Sequence, residues 1–573
     1  MGWINKIRLW FFLGPLLSLL SCTGRSDLLW LEADIPLEGT PTYTYRILDH
    51  WDNLDDTVER GYAGPSIWGW TEETLPAARI ERYARLNRKL GINGIVLNNV
   101  NANPAILDEW HLQRAAAIAG ILRPHGIRIY LSVNFASPAI LGGLPTADPL
   151  DPRVIAWWAE KVDEIYTHVP DFGGFLVKAS SEGQPGPQDY GRSHVDGANM
   201  LADALAPHGG ILLWRAFVYA PDSPDRARQA YDEFMPLDGQ FRANVSIQVK
   251  NGPVDFQPRE PFSPLFGGMQ ETSVSPELQI TMEYLGQASS LVFLAPMWEE
   301  CLQSDTFRDG AGSTVAAVTA SARVSAIAGV SNVGQSPDWC GNLFNQANWY
   351  AFGRLAWDPS LSSEQIAEEW LRITFPKPWL ISHKRFTRDF IEPMKQVMLS
   401  SREACVDYMM PLGLHHLFAW EHHFGPDTGC QVPGARADWL PSYYHRARPD
   451  GIGFDRTRET GSGAVDQYNP PLSDRYNSLE DCPEELLLWF HHVPWDYRMD
   501  SGLTLWEELQ RHYERGVEQV QRYQELWAGM KPYVGARRHA RVRALLQKNA
   551  QDAAQWRDVC VDYFRTFAEA KEN

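Results

Sequence analysis

Seven cysteines in 573 residues, with no C-x-x-C pair among them, give no basis for a zinc site built on thiolates. No extended basic stripe is present either. The formal net charge is -19 and the pI about 5.3, so a phosphate backbone would have to bind against the protein's own field, and nucleic acid is not expected as a partner. The chain has no HExxH, no internal repeat beyond an alternation of strand and helix patterns, and no low-complexity tract. GIG (451–453) and GVSNVG (329–334) lack the strand-to-helix setting of a dinucleotide site. Aromatic residues, by contrast, are plentiful: 23 Trp, 21 Tyr and 24 Phe. Such faces either fill a core or stack against the C–H groups of sugar rings, and Trp51, Trp68 and Trp70 are candidates for both.

The first residues read as a processing segment. Lys6 and Arg8 precede an apolar run from Leu9 to Leu20, and Leu19-Leu20-Ser21-Cys22 resembles a lipoprotein box. The expectation is export to the cell envelope, periplasm or cell surface, with residues 1–22 as signal and Cys22 lipidated. A plain cleaved signal and an uncleaved anchor are the alternatives. Residues 23–45 then form a short linker, and the other six cysteines cannot be paired from their spacing.

From about Gly61 short apolar runs alternate with amphipathic helical segments, the pattern of βα units around a parallel sheet. GYAGPSIWGW (61–70) reads as the first strand, followed by GIVLNNV (94–100), IRIYLSVNF (127–135), GFLVKAS (174–180), ILLWRAF (211–217), VSIQVK (245–250) and LQITMEY (278–284). The eighth is either LVFLAPM (291–297) or IAGVSNV (327–333). Between them, Ile80, Tyr83, Leu86 and Leu90 keep helical spacing, as do Leu112, Ala115, Ala119 and Leu122. A third helix opens on Asp151 as N-cap and Pro152, with Ile155, Trp158, Val162 and Ile165 expected inside. Eight such units predict an α/β fold, a (β/α)8 barrel over residues 46–385. Beyond 385 helical patterns dominate, notably 503–530 and 536–570, and predict a separate helical domain over 386–573.

Parallel barrels carry their chemistry at the C-terminal ends of the strands. There the sequence sets Lys178 with Glu182 four residues on, Arg215, Lys250 with Asp255 five residues on, and Glu283. These charges would either pair as rim salt bridges or serve a site. Because buried ion pairs often contribute little net stability, three cations and three carboxylates on successive strands point to a site. Carboxylates flanking a substrate suit glycoside hydrolysis, and the lysines and arginine suit a carboxylate on the sugar itself. The reading is an exported barrel hydrolase for an acidic sugar.

RGYAGPSIW (60–68), VLNNVNA (96–102), GFLVKASSEGQPGPQDYGR (174–192), HVDGANMLADAL (194–205), NGPVDFQPREPFSPLFG (251–267), YYHR with GIGFDRT (443–457) and CPEELLLWFHHVPWDY (482–497) resemble the alpha-glucuronidases of glycoside hydrolase family 67. The resemblance runs from about Tyr45 to near the C-terminus. It implies a (β/α)8 barrel with a mainly helical C-terminal domain that often dimerises. It implies removal of α-1,2-linked 4-O-methylglucuronic acid from xylooligosaccharides with inversion and without a metal or other cofactor. On the matching positions Glu182 is the general acid, Asp255 and Glu283 activate the water, and Lys178, Arg215 and Lys250 hold the uronic carboxylate. Glu182 would have to be protonated beside three cations, which requires the substrate carboxylate to offset them. The sequence departs from the family in three ways. A β-rich N-terminal domain is expected to be missing or its start misassigned, Ser180 stands where Asn is common, and Pro65 stands where a larger polar residue is common.

His415, His416, His422 and His423 in GLHHLFAWEHHFGP do not share one helix face and are not read as a metal site; the family resemblance implies instead a loop that closes over the cleft and contacts substrate. Rival functions are an exo-hydrolase for another acidic sugar, such as pectic galacturonate, and a surface lipoprotein that binds acidic xylooligosaccharides without cleaving them.

Overall fold

The computed structural model describes Trp30 and residues 33–35, 37–217, 224–421 and 423–570. The candidate signal with Cys22, and His422, lie outside the described residues. Eight parallel strands close into a barrel in sequence order: β1 (Tyr45–His50), β2 (Gly94–Val96), β3 (Arg128–Ser132), β4 (Gly174–Val177), β5 (Ile211–Arg215), β6 (Val245–Lys250), β7 (Ser273–Gln279) and β8 (Ala326–Ser331). Pairing of β8 with β1, from Tyr45 opposite Ala326 to His50 opposite Ser331, closes the ring. Strands covered by helices are buried on both faces, so β5 reads Ile-Leu-Leu-Trp without alternation and every one of its residues is buried.

The expected helices form where the apolar spacing put them. The helix Ala77–Lys89 buries Ile80, Tyr83 and Leu86; Glu109–Leu122 buries Leu112, Ala115, Ala119 and Leu122. Pro152–His168 starts at Asp151, whose carboxylate accepts the Arg153 N–H at 2.8 Å. On that helix Val154 is buried and Ile155 is 45% exposed, a correction to the expected face. Spacing to Trp158 fits either residue, and Val154, one full turn before it, lies on the inner stripe.

Three strand expectations change. Residues 61–70 form no strand: Gly61, Gly64 and Gly69 all sit at positive φ, so the segment turns repeatedly. β1 lies upstream, hidden because only Ile47 and Leu48 are aliphatic, while Arg46, Asp49 and His50 are buried polar residues. Arg46 is satisfied by donating to the Gly91 carbonyl at 2.6 Å and lies over the Trp357 ring. The strand expected at 278–284 is Ser273–Gln279, whose SVSPE stretch reads as a turn. There Ser275 meets Ser246 of β6, and Glu277 is wholly buried. Of the two candidates for the eighth strand, 326–331 forms it, and Leu291–Leu294 leads into the helix Ala295–Gln303.

After β8 the described chain is helical and loop-rich. Glu392–Met409, Leu505–Ala528 and Ala536–Ala568 are its long helices, the last two on the expected patterns. Thr504 and Glu507 cap the second reciprocally, the Glu507 carboxylate accepting the Thr504 N–H at 2.8 Å and the Thr504 hydroxyl the Glu507 N–H at 3.2 Å. Gly516 lets this helix approach Glu392–Met409: a Cβ there would stand 2.5 Å from the Tyr408 nitrogen. Cys301, Cys340, Cys405, Cys430, Cys482 and Cys560 are buried free thiols. Among the described residues no helix is long and apolar enough to cross a membrane.

Candidate active site

The strand ends open into a cavity of about 210 Å³, and all seven residues expected at a site line it: Trp51, Lys178, Glu182, Arg215, Lys250, Asp255 and Glu283. Arg215 and Lys250 close β5 and β6, and Lys178 follows β4 directly. Glu283 is not in the end of a strand as expected; it lies four residues beyond β7, in the turn. Trp68 and Trp70 do not reach the cavity. Trp68 packs on His50 and Tyr83, so core packing accounts for it.

The three carboxylates differ in exposure and in partners. Glu182 has a side chain 40% exposed and contacts the Lys178 ammonium, which also donates to Asn101 Oδ1 at 2.8 Å. Asp255 is buried: Lys250 Nζ donates to its Oδ1 at 2.6 Å, Tyr284 OH to its Oδ2 at 2.6 Å, and Arg226 stands 3.7 Å away. Burial alone would push the Asp255 pKa up, but the Lys250 and Arg226 charges and the two hydrogen bonds hold it well below the usual range. Glu283 is buried as well. Arg60 Nε donates to Oε1 at 2.8 Å, His423 Nδ1 meets the same oxygen at 2.9 Å, and Gln279 Nε2 donates to Oε2 at 2.8 Å. Burial raises this acid, and the His423 bond and the His423 and Arg60 charges outweigh it, so its pKa is lowered.

Burial lowers the pKa of Lys178 and Lys250. Arg215, expected to hold a substrate carboxylate, is already engaged by one from the protein. Its Nε donates to Glu277 Oε2 at 2.7 Å and its Nη2 contacts the other oxygen, a bidentate pair beneath the cavity. Glu277 in turn shares Gln248 with Asp49, whose carboxyl is pushed up to about 8 by burial and by Glu277. Glu260 braces the Asp255 loop from behind, accepting the N–H groups of Val254 at 3.1 Å and Asp255 at 3.0 Å.

Strand ends did not point to Arg60, Phe217, Arg226 and Tyr284, which line the cavity with His416 and His423 of the segment expected over the cleft. Arg60 stood in RGYAGPSIW and Tyr284 beside Glu283, so neighbourhood was the available signal. The segment with paired histidines divides. His416 and His423 face the cavity, while His415 packs against Tyr444 and Trp489. Burial keeps both His415 and His416 well below the ordinary imidazole pKa, so they are neutral. Arg60, Ser180, Glu182, His416, Glu421 and His423 all have positive φ without being glycine. Such backbone persists only where surrounding contacts over-determine it, and it clusters at functional sites.

Residues 31–339 match the family model described as "Glycosyl hydrolase family 67 middle domain", and residues 340–573 match "Glycosyl hydrolase family 67 C-terminus". Alpha-glucuronidase A of Emericella nidulans is 42% identical over 551 residues, covering 93% of this chain and 63% of that protein. Alpha-glucuronidase A of Aspergillus tubingensis is 40% identical over 538 residues, with 91% and 62% covered. The chain thus spans somewhat under two thirds of the length of these relatives. A solved GH115 4-O-methyl-alpha-glucuronidase, with specificity for decorated arabinogalactans, aligns at 11% identity and TM-score 0.39, over 93% of this chain and 63% of that one.

Proposed function

The chain belongs to glycosyl hydrolase family 67, and from that premise we propose that it is an alpha-glucuronidase that releases α-1,2-linked (4-O-methyl)glucuronic acid from xylooligosaccharides with inversion. The observation that carries this reading is the sorting of charge in one cavity: a half-exposed carboxyl, Glu182, with two buried carboxylates held ionised, Asp255 and Glu283, and the cations Lys178, Arg215 and Lys250 among them. An inverting glycosidase needs one acid that carries a proton to the leaving oxygen and a base that accepts one from water. Asp255 and Glu283 suit the base because their low pKa keeps them unprotonated. Glu182 suits the acid, in reach of solvent that can reprotonate it. A sugar carboxylate that engages Lys178 Nζ would draw the ammonium from Glu182 Oε2 and leave that carboxyl to carry its proton. Trp51 offers an apolar wall for the sugar ring.

The Lys6 to Cys22 segment further supports export and lipid anchoring, and so action at the cell envelope. The first test is a proton NMR time course of a glucuronosyl xylooligosaccharide in the anomeric region. β-Glucuronic acid appearing first and then mutarotating is the expected result. Initial release of the α-anomer would overturn inversion, and tight binding without release would favour the binding-lipoprotein reading.

A further inference from the structure

Phe217 lies two residues past Arg215 at the cavity floor and is 8% exposed. Three cations from three successive strands stand over this one ring. Lys250 Nζ is 3.4 Å from its centroid, Lys178 Nζ 5.2 Å and the Arg215 guanidinium carbon 5.5 Å. Each cation also has its own carboxylate, Asp255, Glu182 and Glu277 respectively. Three like charges gathered around a ring repel one another strongly in a site of low dielectric. Burial already works against the ammonium form of both lysines. A phenyl face carries negative electrostatic potential and attracts each cation, while its apolar body keeps water off that side.

We propose that Phe217 is the residue that sets charge specificity: its ring gathers Lys178, Arg215 and Lys250 into a single anion receptor, so that the cavity selects a sugar with an ionised carboxylate over its neutral counterpart. This rests on the uronic acid reading above and deepens it. Phe217 acts through the cations and is a positioning residue, which separates its effect from that of the carboxylates that move protons.

The test compares binding of D-glucuronate with that of its neutral isostere, D-glucuronamide, by calorimetry. The variants are Phe217→Leu, which keeps the apolar bulk and removes the ring, and Phe217→Tyr, which keeps the ring. Wild type should prefer glucuronate. Phe217→Leu should cut that preference by about 3- to 30-fold, through weaker glucuronate binding with glucuronamide unchanged. Phe217→Tyr should retain it. On substrate, Phe217→Leu should raise KM more than it lowers kcat. An unchanged preference in Phe217→Leu, or equal weakening of both ligands, overturns the ring's role while leaving the uronic acid reading intact. A wild type with no preference overturns that reading and this inference together. Loss of fold in Phe217→Leu leaves Phe217→Tyr to decide: a lost preference there, with the ring retained, also overturns the proposal.

Discussion

Glu182 and Glu283 are chemically the same side chain, and their surroundings suit them to the opposite roles proposed for them. Glu182, in a strained left-handed turn after β4, meets one ammonium and open solvent. Glu283 is enclosed and receives Arg60, His423 and Gln279. General-acid assistance is worth about 10²- to 10⁴-fold, so Glu182→Gln should lower kcat by that order with KM little changed. With an aryl glucuronide, whose leaving group needs no proton, most of the loss should disappear; an equal loss on both substrates would remove Glu182 from the acid role. His423→Ala addresses the proposed base, Glu283. Removing the His423 hydrogen bond and charge takes away part of what lowers the Glu283 pKa, so that pKa rises. Because the base must be ionised, the acidic limb of the kcat/KM profile should shift to higher pH, with a plateau at neutral pH reduced by less than the limb moves. A profile displaced only vertically would assign His423 to substrate contact alone.

Among the elements, those strands were legible in the sequence whose cores are aliphatic. β5 and β6 announce themselves through Leu212, Leu213, Ile247 and Val249, and the end of each strand led directly to Arg215 and Lys250. β1 and β7 did not, because Asp49 in β1 and Glu277 in β7 stand where an apolar residue would have signalled a strand, joined through Gln248 of β6 and Arg215 of β5 into a hydrogen-bonded polar layer inside the barrel. No pattern of hydrophobicity can show that a buried carboxyl is satisfied by a partner some 200 residues away. The same layer has a consequence for stability. Burial and then Glu277 raise the Asp49 pKa to about 8. The folded state therefore holds a proton that the unfolded chain, with an Asp near 3.9, releases; the resulting stability is complete below that unfolded value and is lost as pH rises to about 8. Asp49→Asn mimics the protonated form. Relative to wild type it should become progressively more stable between pH 5 and 8, by more than about 1 kcal/mol at the upper end, as denaturant titrations at each pH would reveal. A difference independent of pH would mean that Asp49 stays ionised throughout.

At the scale of the whole molecule the cavity belongs to two distant parts of the chain. The barrel supplies its floor of charges, and His416, Phe418, Trp420, His423 and Trp439, all beyond residue 385, supply a wall. Only the family resemblance pointed to the histidine segment of that wall, and Trp439 had no signal, since nothing in the local sequence says which barrel loop a helical region will face. The joint is visible in one buried pair. Arg456 Nε donates to Asp225 Oδ2 at 2.9 Å and Nη2 to Oδ1 at 3.2 Å, with both side chains fully buried, and Ser462 donates to the same carboxylate at 2.6 Å. Asp225 also caps the helix Arg226–Phe234 through the Ala227 N–H. The next residue, Arg226, faces Asp255. Breaking a buried pair leaves its partner charge uncompensated, so Arg456→Met should destabilise the protein by about 3–5 kcal/mol. Through the Asp225 cap it should also loosen Arg226 and disturb Asp255. If so, the double variant Asp225→Asn/Arg456→Met, which leaves no orphaned charge, should regain much of the stability measured by denaturant unfolding while kcat stays depressed, because a neutral Asn caps the helix that begins at Arg226 more weakly than a carboxylate does. Full recovery of both quantities would instead make the pair a fastening with no bearing on the cavity. Failure to recover stability would show that the contacts of Arg456 with its own region, including its bond to the Trp489 carbonyl, outweigh the pair itself.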